Sequence, residues 1–199
     1  GNKLRSFLTV LGIIIGVMAV VIMVAVGETV QKSITDQFSS LGTNTIVVRA
    51  SAARTGGVRT GNKQTLTITD SEQIKRLSDV TFVAPAQMGS GQVIYGNKNW
   101  ATMILGTSPD YASIQDIDIE YGTFFDENAV KNASTYAVIG PDTATELGLS
   151  ENPVGEIIRI QNMPFVIVGV MKARGDSAFG SQDDMVIIPI TTLKKRLQG

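Results

Sequence analysis

Residues 7–26 read FLTVLGIIIGVMAVVIMVAV, a run without a single charge. An α-helix rises about 1.5 Å per residue, so a run of this length matches the roughly 30 Å hydrocarbon layer of a bilayer. Any fold of this chain must accommodate that segment, and the lipid bilayer is its first predicted partner. Lys3 and Arg5 precede the run, while Glu28 and Asp36 follow it with only Lys32 between them. Basic residues stay on the cytoplasmic side, which predicts an inside N-terminus and an outside location for everything from residue 28 onward. A secretory signal peptide competes for the same pattern, with Ala25 and Gly27 as small residues near a cleavage point. Its apolar core would span only about 7–15 residues, so a retained helix fits better. The chain opens on Gly1 rather than Met, as a trimmed or excised fragment would.

The residues after the helix are numerous enough for one domain or two small ones with a core. Lysine and arginine total 17 against 18 acidic residues, and no basic stripe with interleaved aromatics is present, which argues against a nucleic-acid partner. The chain contains no cysteine and no histidine. That removes disulfides, thiol nucleophiles, thiolate or imidazole zinc sites and every His-dependent triad.

Val30, Ile34, Phe38 and Leu41 follow at spacings of four, four and three, opposite Gln31, Lys32, Thr35, Asp36 and Gln37. This apolar face predicts that the membrane helix continues outward as a stalk that stops at Gly42. Residues 45–48 are β-branched and read as a strand. Residues 50–65 are small, polar and basic, with Gly56, Gly57 and Gly61 among them, and read as a mobile loop. Thr69 or Asp70 is the expected N-cap of a helix with sequence DSEQIKRL, and residues 80–84 read as a strand. Gly96-Asn97 sits between the runs QVIY and NWATMILG as a hairpin turn. Four further apolar runs, TYAVIG, GEIIRI, PFVIVGVM and DMVIIPI, alternate with helix candidates at 109–114, 141–147 and 191–197, and Asn162-Met163 is the expected turn between the second and third. No sustained βαβα alternation appears, so the expected class is α+β: one transmembrane helix with a stalk, then a mixed α/β extracytoplasmic domain of two small subdomains. The corresponding boundaries are a cytoplasmic flank 1–6, a transmembrane helix 7–27, a stalk 28–43, a first core part 44–107 and a β-rich second part 108–199.

Three constellations invite a chemical reading. GGVRTGNK places Gly56 and Gly61 at phosphate-loop spacing, but Asn62 stands where lysine is required and Gln64 where serine or threonine should follow it, so no nucleotide site is expected. Asp116, Asp118, Glu120 and Glu127 fall at positions one, three, five and twelve of a calcium loop whose sixth position should be glycine and is Tyr121. The simpler reading is a strand with Ile117, Ile119 and Tyr121 facing inward and the acids facing water. Gly12 and Gly16 form a GxxxG pair that permits close approach of a second helix, of this protein or of another copy. Phe124 and Phe125 read as core residues or a lip over the core.

The start NKLRSFLTVLGIIIGVMAVVIMVAVGE resembles the first transmembrane helix of the macrolide-exporter (MacB-type) ABC permeases, which are related more loosely to the lipoprotein-releasing and FtsX permeases. SLGTNTIVV, LTITDSEQI, YGTFFDENAV, ENPVGEIIRIQNMPFVIVGVM and DDMVIIPITTLKKRLQG resemble that family's extracytoplasmic core in the expected order, nearly end to end. The resemblance implies a permease half that works as a homodimer in the inner membrane. ATP and Mg would be held by an ATPase domain or subunit outside this chain, and no cofactor, metal or catalytic residue is expected in the chain itself. It also implies a periplasmic or extracellular adaptor, and export of macrolides, peptides, toxins or lipoproteins by mechanotransmission. The family's permeases have four membrane helices, and this sequence shows one.

The stalk fits that role on physical grounds, since a helix without a Gly or Pro break between Met18 and Gly27 carries a tilt or shift rigidly. A membrane-anchored enzyme is disfavoured because the residue types that catalysis most often uses are missing. A membrane-anchored extracytoplasmic sensor or binding module is the alternative reading, with the same outline of one helix and one outer domain.

Overall fold

The computed structural model describes residues 3–40, 45–50, 54–55, 58–59, 66–177, 180–181 and 183–197. The chain divides into two compact units, 1–44 and 45–199.

The first unit is one helix, α1 (Lys3–Ser40), which passes through Gly27 unbroken. Within it Val10–Gln31 is long and apolar enough to cross a membrane, as the opening run predicts. The expected stop at Gly42 lies outside the described residues.

In the second unit β1 (Arg54–Thr55) and β2 (Val58–Arg59) pair antiparallel, within the stretch expected to be a loop. The rest of that stretch from residue 51 on, and with it most of the failed phosphate loop, lies outside the described residues. Next come α2 (Ile68–Ile74), β3 (Gln87–Tyr95), β4 (Lys98–Thr107), α3 (Asp110–Ile114), β5 (Ile119–Gly122), α4 (Glu127–Lys131), β6 (Tyr136–Ile139) and α5 (Pro141–Leu147). They are followed by β7 (Ile157–Ile160), β8 (Met163–Met171), β9 (Asp176–Ser177), β10 (Gly180–Ser181), β11 (Met185–Pro189), α6 (Ile190–Thr192) and a π-helical turn, Leu193–Leu197.

Seven strands form one sheet in the order β5-β8-β6-β11-β4-β3-β7, and β7 pairs back onto β8. The sheet thereby closes into a six-stranded barrel, with β5 as a flap on β8. Closure buries alternate residues of every strand. Val93, Ile104, Ile139, Ile158, Phe165 and Ile188 fill the interior together with Leu147 of α5. A second cluster covers the outside, where Leu105, Val138 and Ile187 pack under Phe125 and the α4 residues Ala129 and Val130. Strands from both sides of the expected 107/108 boundary share this sheet, since β4 pairs with β3 on one edge and β11 on the other.

Local signals explain several elements. Pro141 opens α5 and Gly148, at φ 65°, closes it. Gly96 at φ 58° turns β3 into β4. Four expectations need correction. The turn between β7 and β8 is Gln161-Asn162, one residue earlier than expected, and both residues have the positive φ of a type I′ turn. The cap of α2 is Thr67, whose Oγ1 accepts from the backbone N–H of Asp70 while Asp70 Oδ2 accepts from that of Thr67, a reciprocal box that starts the helix earlier. Residues 80–84 form no strand, and the N–H of Val83 goes to the Asp110 carboxylate rather than to a ladder. Residues 45–48 are exposed and belong to no strand, Ile46 being 88% exposed.

Candidate functional site

On α1 every described side chain is exposed, Val30 at 52%, as suits a helix meant for lipid or partner helices. A Cβ placed on Gly12, Gly16 or Gly27 would meet nothing within 4 Å, so the glycine pair presents open backbone. Thr29 Oγ1 donates to the carbonyl of Ala25 at 2.8 Å and turns its polar end back into the helix where the apolar run ends. Ile34 and Phe38 lie on the same continuous helix, whereas Leu41 is outside the described residues. The structure thus puts Val30, Ile34 and Phe38 on one continuous helix.

The acidic run 116–127 carries no calcium loop. Asp116, Asp118 and Glu120 are exposed, Ile119 pairs with Met171 as part of β5, and Asp126 is spent capping α4, with Oδ1 accepting from the N–H of Ala129 at 2.9 Å. That bond holds the Asp126 carboxyl below its usual range. Among the described residues no group of three or more acidic side chains is placed to hold a metal ion. The simple alternation expected for Ile117, Ile119 and Tyr121 also breaks. The register of β5 on β8 shifts between Ile119 and Tyr121, so Ile119 joins the outer cluster and Tyr121 the inner one.

A second irregularity lies in β8, where Ala137 faces Ile167 and Val138 faces Gly169, leaving Val168 as the extra residue. The turn after β5 packs directly on this bulge: Thr123 donates its N–H to the Val168 carbonyl at 3.0 Å. Side chains are excluded at the crossing, because a Cβ on Gly122 would stand 2.2 Å from the Val168 oxygen and one on Gly169 2.6 Å from the Thr123 oxygen. The turn projects Phe124 and Phe125, ring centroids 4.5 Å apart, and Phe125 is buried while Phe124 is partly so. An open groove of about 400 Å³ runs between them, Asn128, Asn132 and Tyr136.

The densest polar contacts were not visible as a motif. Asp184 Oδ1 accepts from Trp100 Nε1 at 2.9 Å, Thr102 Oγ1 at 2.7 Å and Thr143 Oγ1 at 3.0 Å. Beside it the buried Asp183 accepts from the N–H groups of Arg174 and Gly175, at 2.9 and 2.7 Å. Two adjacent aspartates therefore join β4, the start of α5, the segment after β8 and β11. At the other end of β4, Thr107 Oγ1 donates to the Pro85 carbonyl at 2.9 Å, and Lys75 reaches Asp110 at 2.7 Å. Thr191 and Thr192 donate to the carbonyls of Val130 and Ser134, fastening α6 to the α4 region. These contacts tie strands, helices and connecting segments of the second unit to one another.

A macrolide export ATP-binding/permease protein MacB from Bdellovibrio bacteriovorus is 39% identical over 201 residues, covering all of this chain and 31% of its own length. The protein of that name from Rhodospirillum rubrum is 39% identical over 202 residues, again with all of this chain and 31% of its own length. The chain thus spans about a third of the length of these curated relatives. The periplasmic region of MacB from Actinobacillus actinomycetemcomitans has a similar fold, with a TM-score of 0.59 and 21% identity over 67% of this chain and 59% of that one. So does the extracellular domain of the noncanonic ABC-type transporter YknZ, with a TM-score of 0.59 and 19% identity over 67% of each chain. The family model described as MacB-like periplasmic core domain matches residues 6–199, and with that match over nearly the whole length the chain belongs to the MacB-like periplasmic core domain family.

Proposed function

We propose that this chain is the part of an ABC permease that turns cytoplasmic ATP hydrolysis into movement outside the membrane, exporting substrate by mechanotransmission. The observation that carries the reading is the continuity of α1, which runs from the apolar span into the polar stalk without a break at Gly27. A continuous helix is a stiff rod, and displacement of its inner end reaches residue 40 without being absorbed at a hinge. In this reading residues 1–6 are cytoplasmic, 7–27 cross the inner membrane, 28–43 are the stalk and the remaining domain is periplasmic or extracellular. Gly12 and Gly16 pack against a neighbouring helix, and Val30, Ile34, Phe38 and Leu41 form the coupling face. ATP and Mg bind to an ATPase domain or subunit, a second permease copy completes the dimer, and an adaptor receives the substrate. The relatives named for macrolide export make that class the first to test, with peptides and lipoproteins after it.

Proline at position 34 removes an intrahelical hydrogen bond and kinks the rod at a cost of about 3 kcal/mol. In the complete transporter, with a macrolide as the probe substrate, Ile34→Pro should leave ATP hydrolysis in place and abolish export. Normal export by this variant, or equal loss of hydrolysis and export in a folded protein, would remove the stalk as the coupling element. A wild-type protein that hydrolyses ATP but exports no macrolide would reject only the substrate class.

A further inference from the structure

The two segments that flank the barrel in the chain, one before β3 and one after β11, are fastened to one place, the C-terminal end of β4. Thr107, the last residue of that strand, is fully buried, and its hydroxyl donates to the carbonyl of Pro85, in the incoming segment two residues before β3. On the opposite edge Thr107 pairs in parallel register with Pro189, the last residue of β11, from which the chain leaves through α6. One position earlier, Gly106 backs onto that outgoing segment, where a Cβ would stand 2.7 Å from Leu193 Cδ2 and 3.3 Å from Ile190 Cα. Three positions later, the Asp110 carboxylate takes the N–H of Val83 and the ammonium of Lys75, both from the incoming segment. Residues 106–110 therefore hold the chain on its way in and on its way out.

The mechanical consequence follows from topology. A barrel tethered at opposite ends is stretched when its tethers move, and its strand ladders carry the load. A barrel tethered twice at one end moves as a body and loads only the tether point. We infer that Thr107, with Gly106 and Asp110, is a clamp that makes the barrel follow displacement of the stalk; these are positioning residues for coupling. The inference rests on the proposed coupling role and adds to it the residues at which motion enters the barrel. In Thr107 a buried side-chain hydroxyl bonds one tether while the backbone pairs with the other, so losing the hydroxyl leaves the Pro85 carbonyl without that partner.

The test uses the complete transporter in liposomes and needs no knowledge of the substrate. This chain contributes no cysteine, so in a complete transporter whose other cysteines are replaced a spin label can be placed on Ser39→Cys of the stalk or on Gln92→Cys of the exposed face of β3. Distances between the two copies are then measured without nucleotide and with trapped ATP. Wild type should show a nucleotide-dependent shift at both sites. Thr107→Val, which keeps the shape and loses the hydroxyl, should keep the shift at 39 and lose or broaden it at 92, and Thr107→Ser should restore it. A purely structural role would change the amount of folded protein and leave the two shifts linked. If Thr107→Val does not accumulate, Asp110→Asn at the other end of the clamp is read by the same labels. A shift at 92 that follows the stalk as in wild type overturns the clamp. A wild-type protein whose site 92 stays still overturns the coupling reading itself.

Discussion

Trp100 and Asp184, separated by 84 positions, are joined by a 2.9 Å hydrogen bond from the indole N–H to Oδ1. The same oxygen receives the hydroxyls of Thr102 and Thr143, of which Thr143 is fully buried. One acceptor satisfies three donors on β4 and α5. Removing it leaves all three without that partner. Asp184→Ala should cost roughly 2–3 kcal/mol, because unsatisfied buried donors are expensive, while Asp184→Asn keeps an acceptor oxygen and should cost less. The chain has a single tryptophan, so its fluorescence reports this site alone. Denaturant unfolding of the full chain in detergent, followed by that signal, measures both variants, and equal midpoints for Asp184→Ala and wild type would show that the three bonds contribute nothing net.

Glycines in this domain are not equivalent, and the structure ranks them. At Gly140 a Cβ would lie 2.0 Å from the Asp183 carbonyl oxygen, and at Gly122, already at φ 80°, 2.2 Å from that of Val168. Both contacts are to backbone, which cannot rotate away. At Gly96 the φ is 58° but the surroundings are open. Gly96→Ala should therefore cost only the left-handed backbone penalty of about 1 kcal/mol. Gly140→Ala and Gly122→Ala should cost several times as much, or prevent folding. Similar melting temperatures for all three variants would mean that the backbone yields at 140 and 122.

Where the structure was legible in the sequence, the signal was local. The apolar run announced α1, the helix candidate at 141–147 became α5, and Gly96-Asn97 marked the β3–β4 hairpin. What stayed hidden depends on partners far along the chain. The strand readings at 45–48 and 80–84 rested on β-branched composition, which makes a strand only where a neighbour offers a ladder. Barrel closure through β3 and β7 joins Val93 to Ile160, a pairing that periodicity cannot express. The bulge at Val168 is invisible in PFVIVGVM, since it arises only when β6 is laid beside it. No motif singled out Asp183 and Asp184, or Thr107. All three draw their roles from bonds to distant segments.

The response to pH divides between two sets of residues. Asp70 is held below the usual carboxylate range by the backbone N–H of Thr67, and Asp126 by that of Ala129. A depressed folded value gives a contribution that is complete above the unfolded carboxylate value of about 3.9 and is lost as pH falls through the folded one. Tyr95 is raised by its bond to Glu156, Tyr121 by its bond to Glu151, and Lys75 by its bond to Asp110. A raised folded value gives a contribution that is complete below the unfolded values near 10 and is lost as pH rises through the folded ones. Thermal melts across pH should show that Asp126→Asn, which still caps α4, removes part of the decline below about pH 4. Tyr95→Phe should remove part of the decline above about pH 10. If Tyr95→Phe alters only the acid limb, the tyrosine–glutamate bonds are not the source of the alkaline loss.

The proposed orientation in the membrane rests on charge. Lys3 and Arg5 flank the apolar span on one side, with Glu28 just beyond Gly27 on the other. Basic flanks favour the cytoplasm, so the proposed orientation has Ser39, near the far end of α1, outside it. Because the chain has no native thiol, Ser39→Cys in intact cells should react with a membrane-impermeant maleimide, and Asn2→Cys should react only after the membrane is opened. The pair of sites makes the experiment decisive in either direction. Protection of position 39 in intact cells together with labelling of position 2 would invert the topology. It would put the barrel in the cytoplasm and remove the extracytoplasmic export role with it. Labelling of 39 alone fixes the stalk on the outer side, the arrangement that a rod carrying force across the membrane to the barrel requires.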